Sequence, residues 1–257
     1  MTDDQHRPIF VVGSPRSGTT LLRLILDSHP DISCGPETHF LMGLSTIVGR
    51  RWELIERYGF EKAYWYQKVA EFFDSFQRGY AERRGKKRWA EKTPYYTTIL
   101  DFINQLFPSS QFIHIIRDGY DVVASHRDRW GYKSAVRATL IWRRYVTLAR
   151  DFGNTVSHDR YHELRYEDLV RTPAPVLRDL FEFLGEPWDP AVLEYDRGEH
   201  DILDGYDAFT KSRRSDDVGQ SPIYGSRVGA GKKELGMFLR ALFRYRSGAL
   251  YKELGYR

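Results

Sequence analysis

Residues 8–20 read PIFVVGSPRSGTT, and this stretch decides the fold. The apolar run 8–12 has no polar alternation, which is typical of a strand buried on both faces of a parallel sheet. Residues 19–27 then carry leucines and an isoleucine at helical spacing on one face. The order strand, glycine-containing turn, helix predicts an α/β unit in which a helix N-terminus receives an anion.

The rest of the chain repeats this alternation of strands and helices. Further strands are predicted at 90–92, 111–117 and 161–166, and helices over 94–106, 118–130, 133–152, 174–184 and 232–251. The aromatic region 40–84 is predicted to be helical, whereas 196–231 has no periodicity and is predicted to be a mobile loop. We expect an α/β fold with a single domain over residues 1–257 and a central, mainly parallel β-sheet flanked by helices.

Composition excludes several classes of protein. Of the 257 residues, 41% are hydrophobic and 29% are charged, which is ordinary for a globular protein and excludes a disordered chain. No apolar run approaches the roughly 20 residues that cross a bilayer, and the acidic start has no apolar signal region. Cys34 is the single cysteine, so no internal disulfide forms. We therefore expect a cytoplasmic protein without membrane contact.

The net charge of +4 is unevenly distributed. Residues 78–88 (RGYAERRGKKR) hold six basic side chains and one acid. No nucleic-acid motif accompanies this run, so we interpret it as a solvated basic face and expect no nucleic-acid partner. A basic balance also suits an anionic ligand such as a nucleotide.

The loop 13–20 (GSPRSGTT) resembles a phosphate-binding loop without being a Walker motif. Its glycines have the G-x-x-x-x-G spacing, but Thr19 stands where a Walker lysine would follow Gly18. Arg16 supplies a cation from inside the loop instead. Backbone N–H groups and the helix dipole still favour an anion there.

A second anion site is predicted in residues 117–129 (RDGYDVVASHRDR). Arg117 ends a predicted strand, and Ser125 and Arg129 share one face of the following helix. Ligands of open α/β sheets bind beyond the carboxyl ends of the strands, where Arg16 and Arg117 are both expected. A ligand with two separated phosphates would bridge the two sites.

These segments resemble the sulfotransferases that use 3′-phosphoadenosine 5′-phosphosulfate (PAPS), and most closely the protein-tyrosine sulfotransferases and their bacterial relatives. The resemblance lies in PRSGTTLLRLILDSHPDISCGPET, LFPSSQFIHIIRDGYDVVAS, YEDLV and FEFLG, and spans most of residues 8–185. It implies a P-loop-like sulfotransferase fold. It also implies that PAPS is the donor and that 3′-phosphoadenosine 5′-phosphate (PAP) is released.

The resemblance assigns roles residue by residue. The 5′-phosphosulfate contacts would be Arg16, Ser17, Gly18, Thr19 and Thr20. The 3′-phosphate side would be held by Arg117, Ser125 and Arg129, the adenine by Tyr166, and the closing segment 221–229 would contribute Arg227. Glu37 would be the general base, with Lys92 and Arg16 beside the transferring group.

The chemistry of sulfuryl transfer fits these residue types. A carboxylate such as Glu37 can take the proton of an attacking hydroxyl, while Arg16 and Lys92 stabilise charge on the leaving oxygen. The histidines show no metal-ligand spacing, so no metal is expected. A P-loop kinase or a non-catalytic nucleotide-binding module are the competing functions; the missing Walker lysine disfavours the first, and Glu37 with Lys92 the second.

The acceptor is less determined than the donor. His39 stands where the relatives have a basic residue, and a histidine is mostly neutral near pH 7. We therefore expect a hydroxylated small molecule, a phenol or a carbohydrate, with a protein or peptide tyrosine as the alternative. The sequence leaves the oligomeric state open.

Overall fold

A computed structural model describes residues 7–197, 200 and 228–257. Its sheet has five strands in the order β2-β3-β1-β4-β5, and every pair of neighbours is parallel. The strands are β1 (Ile9–Val12), β2 (Ile32–Cys34), β3 (Arg88–Lys92), β4 (Gln111–Ile116) and β5 (Tyr161–Arg165). The predicted α/β fold with a central parallel sheet is confirmed, although β2 was not predicted because three residues are too few to show a period.

The helices follow the predicted order with some breaks. They are α1 (Thr19–Ser28), α2 (Phe40–Ser45), α3 (Trp52–Ile55), α4 (Lys62–Arg83), α5 (Leu100–Leu106), α6 (Gly119–Trp130), α7 (Tyr132–Gly153), α8 (Tyr166–Arg171), α9 (Pro173–Leu184), α10 (Gly231–Glu234) and α11 (Met237–Glu253). A 3₁₀ segment, Pro94–Ile99, precedes α5, and the predicted C-terminal helix is interrupted between α10 and α11.

The central strand β1 explains the apolar run that opened the sequence. Ile9 and Val11 pack in the core on the α1 side of the sheet, and Phe10 and Val12 pack in the core on the α4 side. All four side chains are buried. Because both faces of the strand are covered by helices, polar alternation would place polar side chains in a core.

The basic run 78–88 forms the predicted solvated face only in part. Arg84 and Lys86 both contact the buried carboxylate of Asp27, and Arg88 is buried and pairs with Glu186. Internal acids therefore neutralise half of the run. The sequence alone did not show this, because the acids lie far away along the chain.

Every helix of the described residues is too short or too polar to cross a bilayer.

The parallel strands direct their carboxyl ends to one edge of the sheet. Loops leave this edge after Val12, Cys34, Lys92, Ile116 and Arg165. Most of the predicted site residues lie on these loops or in the helices that follow them.

Candidate active site

The loop between β1 and α1 has a backbone that only glycine allows at two positions. Gly13 has φ 146° and Gly18 has φ 97°. A Cβ on Gly13 would lie 2.6 Å from the carbonyl oxygen of Ile115, and one on Gly18 would lie 2.4 Å from the ring of Tyr166. Arg16, at φ 73°, also adopts the left-handed conformation. Tight packing against β4 and α8 thus fixes the shape of the loop.

The loop presents hydrogen-bond donors at the N-terminus of α1. Ser17 is buried, and its Oγ has no hydrogen-bond partner among the described residues. Thr19 and Thr20 open the helix, whose first turn contains no acidic residue. A buried orphan hydroxyl beside uncompensated helix N–H groups suits a phosphate or phosphosulfate group.

Arg16 connects the two predicted anion sites. Its Nε donates a hydrogen bond of 3.0 Å to Ser125 Oγ on α6, and its guanidinium lies 5.6 Å from the ring centroid of Trp130. The structure therefore brings Arg16 and Ser125 into direct contact although 109 residues separate them. This contact was not predicted.

Arg117 lies at the carboxyl end of β4, buried between two side chains. Its guanidinium is 4.3 Å from the ring centroid of Tyr166 and 3.7 Å from Asp121 Oδ2. Arg117 also donates to the carbonyl oxygen of Arg16 at 3.5 Å. Tyr166 thus packs beneath both Gly18 and Arg117, which places it between the two predicted phosphate sites.

Two more residues, Arg129 and Arg227, were predicted to contact the sulfuryl donor. Arg129 is exposed near the end of α6, one turn after Ser125. Arg227 and most of the predicted loop 196–231 lie outside the described residues. Just after them, the backbone N–H groups of Gly229 and Gly231 donate to Asp121 at 2.9 and 2.7 Å. This part of the chain therefore returns to the start of α6, beside Arg117.

The two residues predicted to act on the transferring group form an ion pair. Lys92 ends β3, is fully buried, and donates a short hydrogen bond from Nζ to Glu37 Oε1. Glu37 follows β2, the neighbour of β3, so the parallel pairing brings the two loops together. Lys92 is also in register with Val11 on β1, which places the pair next to the loop 13–20.

Two residues that sequence reasoning missed hold the loop that carries Glu37. Arg23, buried on α1, donates from Nε to the carbonyl oxygens of Cys34 at 3.0 Å and Gly35 at 2.7 Å. Asp27 Oδ1 accepts from the N–H of Cys34 at 2.8 Å. The sequence signal was a charged side chain within the apolar helix 19–27.

His39 and Cys34 differ in their access to the site. His39 Nε2 lies 3.4 Å from Glu37 Oε2, and its ring packs 5.8 Å from that of Tyr95. His39 therefore lies beside the Glu37 carboxylate, where a hydroxyl acceptor of the sulfuryl group would approach. Cys34 is buried in the core, and burial raises the pKa of its thiol to about 12, which makes it unsuited to act as a nucleophile.

One group of potential metal ligands is already occupied by protein partners. His29, Asp31 and Glu186 place their ligand atoms within 4.8 Å of one another. However, His29 Nδ1 accepts from the Asp31 N–H and its Nε2 lies 2.9 Å from the carbonyl oxygen of Pro187. Asp31 and Glu186 pair with lysine and arginine side chains. This arrangement is a structural network.

Comparison with known proteins identifies the family of this chain. Residues 8–190 match the family model described as the Sulfotransferase family. The chain belongs to the Sulfotransferase family. The match contains the phosphate loop, the Glu37–Lys92 pair and the Arg117–Ser125 segment.

Curated relatives include protein-tyrosine sulfotransferases from animals. Protein-tyrosine sulfotransferase A of Caenorhabditis elegans is 27% identical over 228 residues, which are 84% of this chain and 58% of the relative. Protein-tyrosine sulfotransferase 1 of Danio rerio is 31% identical over 202 residues, 73% of this chain and 56% of the relative. The chain thus spans about half the length of the curated relatives it matches.

Solved structures of similar length share the fold. The sulfotransferase domain of the Synechococcus PCC 7002 olefin synthase is 27% identical with a TM-score of 0.66, and the match covers 93% of this chain and 94% of that one. Mouse sulfotransferase SULT7A1, solved with PAP, is 15% identical with a TM-score of 0.54, and the match covers 94% and 84% of the two chains. The second likeness shows the fold alone.

Proposed function

We propose that this chain transfers a sulfuryl group from PAPS to a hydroxyl group and releases PAP. The observation that carries this proposal is the Glu37–Lys92 pair at the sheet edge where the loop 13–20 meets α1. The Glu37–Lys92 pair offers a base and a cation, and the loop 13–20 offers an anion site. Family membership supports the reaction class.

The donor would lie across the two anion sites. The loop amides, Ser17, Thr19 and Thr20 suit its 5′-phosphosulfate, and Arg117 with Ser125 suits its 3′-phosphate. The Arg16–Ser125 contact supports this assignment because it joins the two sites in one continuous surface. PAPS supplies the activated sulfuryl group when bound, and the chain's own residues orient it.

Glu37 and Lys92 would divide the work at the reacting centre. Glu37 is partly exposed, with 24% of its side-chain surface accessible, whereas Lys92 is fully buried. An acceptor hydroxyl can therefore reach the carboxylate from solvent and give up its proton. The Lys92 ammonium pairs with this carboxylate, and we propose that its positive charge stabilises the charge that develops on the leaving oxygen.

A tyrosine phenol is the better supported acceptor. Relatives matching most of this chain are named protein-tyrosine sulfotransferases, which favours the alternative acceptor over a small molecule. Within the basic run, Arg78 pairs with Asp74 and Arg84 with Asp27, whereas Arg83 is exposed. The run therefore offers an acidic peptide few cations. We therefore expect tyrosine recognition with only a weak dependence on neighbouring acids.

One specific observation keeps a small phenol as a second candidate. Phe40, 48% exposed, follows His39 directly and packs edge-on against the exposed rings of Phe72 and Phe76 on α4. This apolar surface adjoins the proposed base. It suits an aromatic acceptor, free or within a peptide.

The test is transfer of labelled sulfuryl from PAPS to a tyrosine peptide, a simple phenol and a saccharide, with PAP measured as the co-product. We expect transfer to the phenolic acceptors. Glu37→Gln should lower turnover by ~10²–10⁴-fold, the usual worth of a general base, with PAP affinity nearly unchanged. A Glu37→Gln enzyme with full activity would refute the role of this residue, and transfer to saccharide alone would refute a phenolic acceptor.

A further inference from the structure

Two consecutive residues of the Glu37 loop contact two consecutive residues of β3. Glu37 pairs with Lys92, and the next residue, Thr38, places Oγ1 3.4 Å from Oε1 of Glu91. Side chains alternate along a strand, so Lys92 and Glu91 lie on opposite faces of the sheet. The loop is therefore held from both faces at the position of the proposed base.

Glu91 is fully enclosed in a network of donors. Thr93 Oγ1 donates to Oε1 at 2.6 Å, and Gln77 Nε2, from α4, donates to Oε2 at 2.9 Å. Burial raises the pKa of Glu91 to about 7, although the hydrogen bonds from Thr93, Thr38 and Gln77 act in the opposite direction. A buried carboxyl is costly, and the proposed transfer chemistry does not use it.

Tyr96 completes the network from the 3₁₀ segment that follows β3. Its hydroxyl lies 2.9 Å from Thr38 Oγ1 and accepts from the backbone N–H of Leu41 at 3.1 Å. These two contacts lie on either side of His39 in the sequence. The φ of His39, 56°, lies in the left-handed region. A non-glycine residue keeps this conformation when its surroundings impose it. Tyr96 thus fixes the turn at His39, which follows Glu37 and Thr38 in the chain.

We propose that Glu91, Thr38 and Tyr96 are positioning residues that hold the Glu37 carboxylate in its reactive orientation. The proposal rests on the proposed function, since it assigns the network to Glu37 as base. These residues act through the backbone of the loop and do not touch the reacting groups. A displacement of about 1 Å at a reacting group can lower a rate by ~10²-fold, so loss of the network should appear in kcat.

The test compares Thr38→Val and Tyr96→Phe, which remove hydroxyl groups at nearly constant volume. We expect kcat to fall ~10- to 100-fold with the KM for PAPS changed less than twofold, because the hydrogen bonds that are removed do not involve residues assigned to the donor. Thr38→Ser restores the hydroxyl and should retain activity within about threefold of wild type. Thr139→Val, a buried hydroxyl on α7, is the matched control and should leave kcat unchanged.

Two further measurements separate positioning from a general loss of structure. The Leu41 amide should exchange with deuterium faster in Tyr96→Phe than in wild type, while the thermal shift produced by PAP stays the same. The wild-type pH profile of kcat should contain a rise near pH 7, as ionised Glu91 becomes a better acceptor, and Glu91→Gln should remove it.

The outcomes are distinguishable. Unchanged Leu41 exchange in Tyr96→Phe, or wild-type kcat in both Thr38→Val and Tyr96→Phe, would overturn the positioning network. A wild-type chain that transfers no sulfuryl group would overturn the proposed function. The exchange measurement would still decide whether the network holds the loop.

Discussion

Replacing Arg117 by glutamine should weaken the binding of PAP far more than that of adenosine 5′-phosphate. These two nucleotides differ only in the 3′-phosphate, which we assign to Arg117 and Ser125. The substitution removes the guanidinium charge but leaves a polar side chain at the buried end of β4. It therefore tests the assignment of the phosphate without opening a large cavity.

The magnitude follows from the surroundings of Arg117. A hydrogen bond to a charged group is worth about 1.5–3 kcal/mol, and the guanidinium is nearly shielded from solvent, so little of this is screened. This corresponds to a loss of ~10- to 150-fold in PAP affinity. Ser125→Ala removes a hydroxyl that would donate to the same charged phosphate, so it should also cost PAP ~10- to 150-fold in affinity.

Isothermal titration of both nucleotides against each variant measures the effect. Affinity for adenosine 5′-phosphate should change less than about threefold, which is within 1 kcal/mol. Arg137→Gln, at an exposed position on α7, is the control and should bind both nucleotides like wild type. Equal losses for the two nucleotides would refute the assignment, since they would show that Arg117 acts by supporting Tyr166 and the loop.

Two stability predictions follow from the same elements. Gly18→Ala should lower the free energy of unfolding by about 1–3 kcal/mol and abolish the thermal shift with PAP, because the new Cβ would clash with the Tyr166 ring. Gly85→Ala is the control: Gly85 also has a positive φ, but it has open space around it. This variant should lose less stability and keep the thermal shift. Burial raises the pKa of Asp27, but its hydrogen bonds and neighbouring cations outweigh this and lower the pKa to about 2 from 3.8. Asp27 therefore adds about 2 kcal/mol of stability above about pH 4, and this contribution is lost as the pH falls towards 2. Denaturant titrations across this range should show that Asp27→Asn lacks this dependence. The same acid sensitivity in both proteins would contradict the prediction.

The loop 13–20, which we propose as part of the donor site, could be read from the sequence because its determinants are local. A strand, a loop with glycines at fixed spacing and a helix start specify an anion site through backbone groups alone. Any other residue at position 18 would clash with the Tyr166 ring, so this position requires glycine. Such a required glycine can be recognised in a single sequence. Asp118 caps α6 in an equally local way, since its side chain accepts from the N–H of Tyr120 two residues later.

Contacts between distant parts of the chain were not predictable in this way. Asp27 binds Arg84 and Lys86 across more than 50 residues, and Arg16 reaches Ser125 across 109. Neither partner has a local pattern that identifies the other. The three-residue strand β2 was missed for the same reason, since its place in the sheet depends on pairing with β3.

The acceptor side combines both situations, and this explains why it was less determined than the donor side. Glu37 is specified by a short motif, but the aromatic surface beside its loop comes from α2 and α4, which no local motif identifies. The exposed rings of Phe40, Phe72 and Phe76 meet only in the folded chain. Changes at these exposed rings can therefore alter the acceptor without removing the contact between Glu37 and Lys92 or the contacts of the loop 13–20. Acceptor specificity should follow this aromatic surface, and donor specificity should follow Arg117 and the loop 13–20.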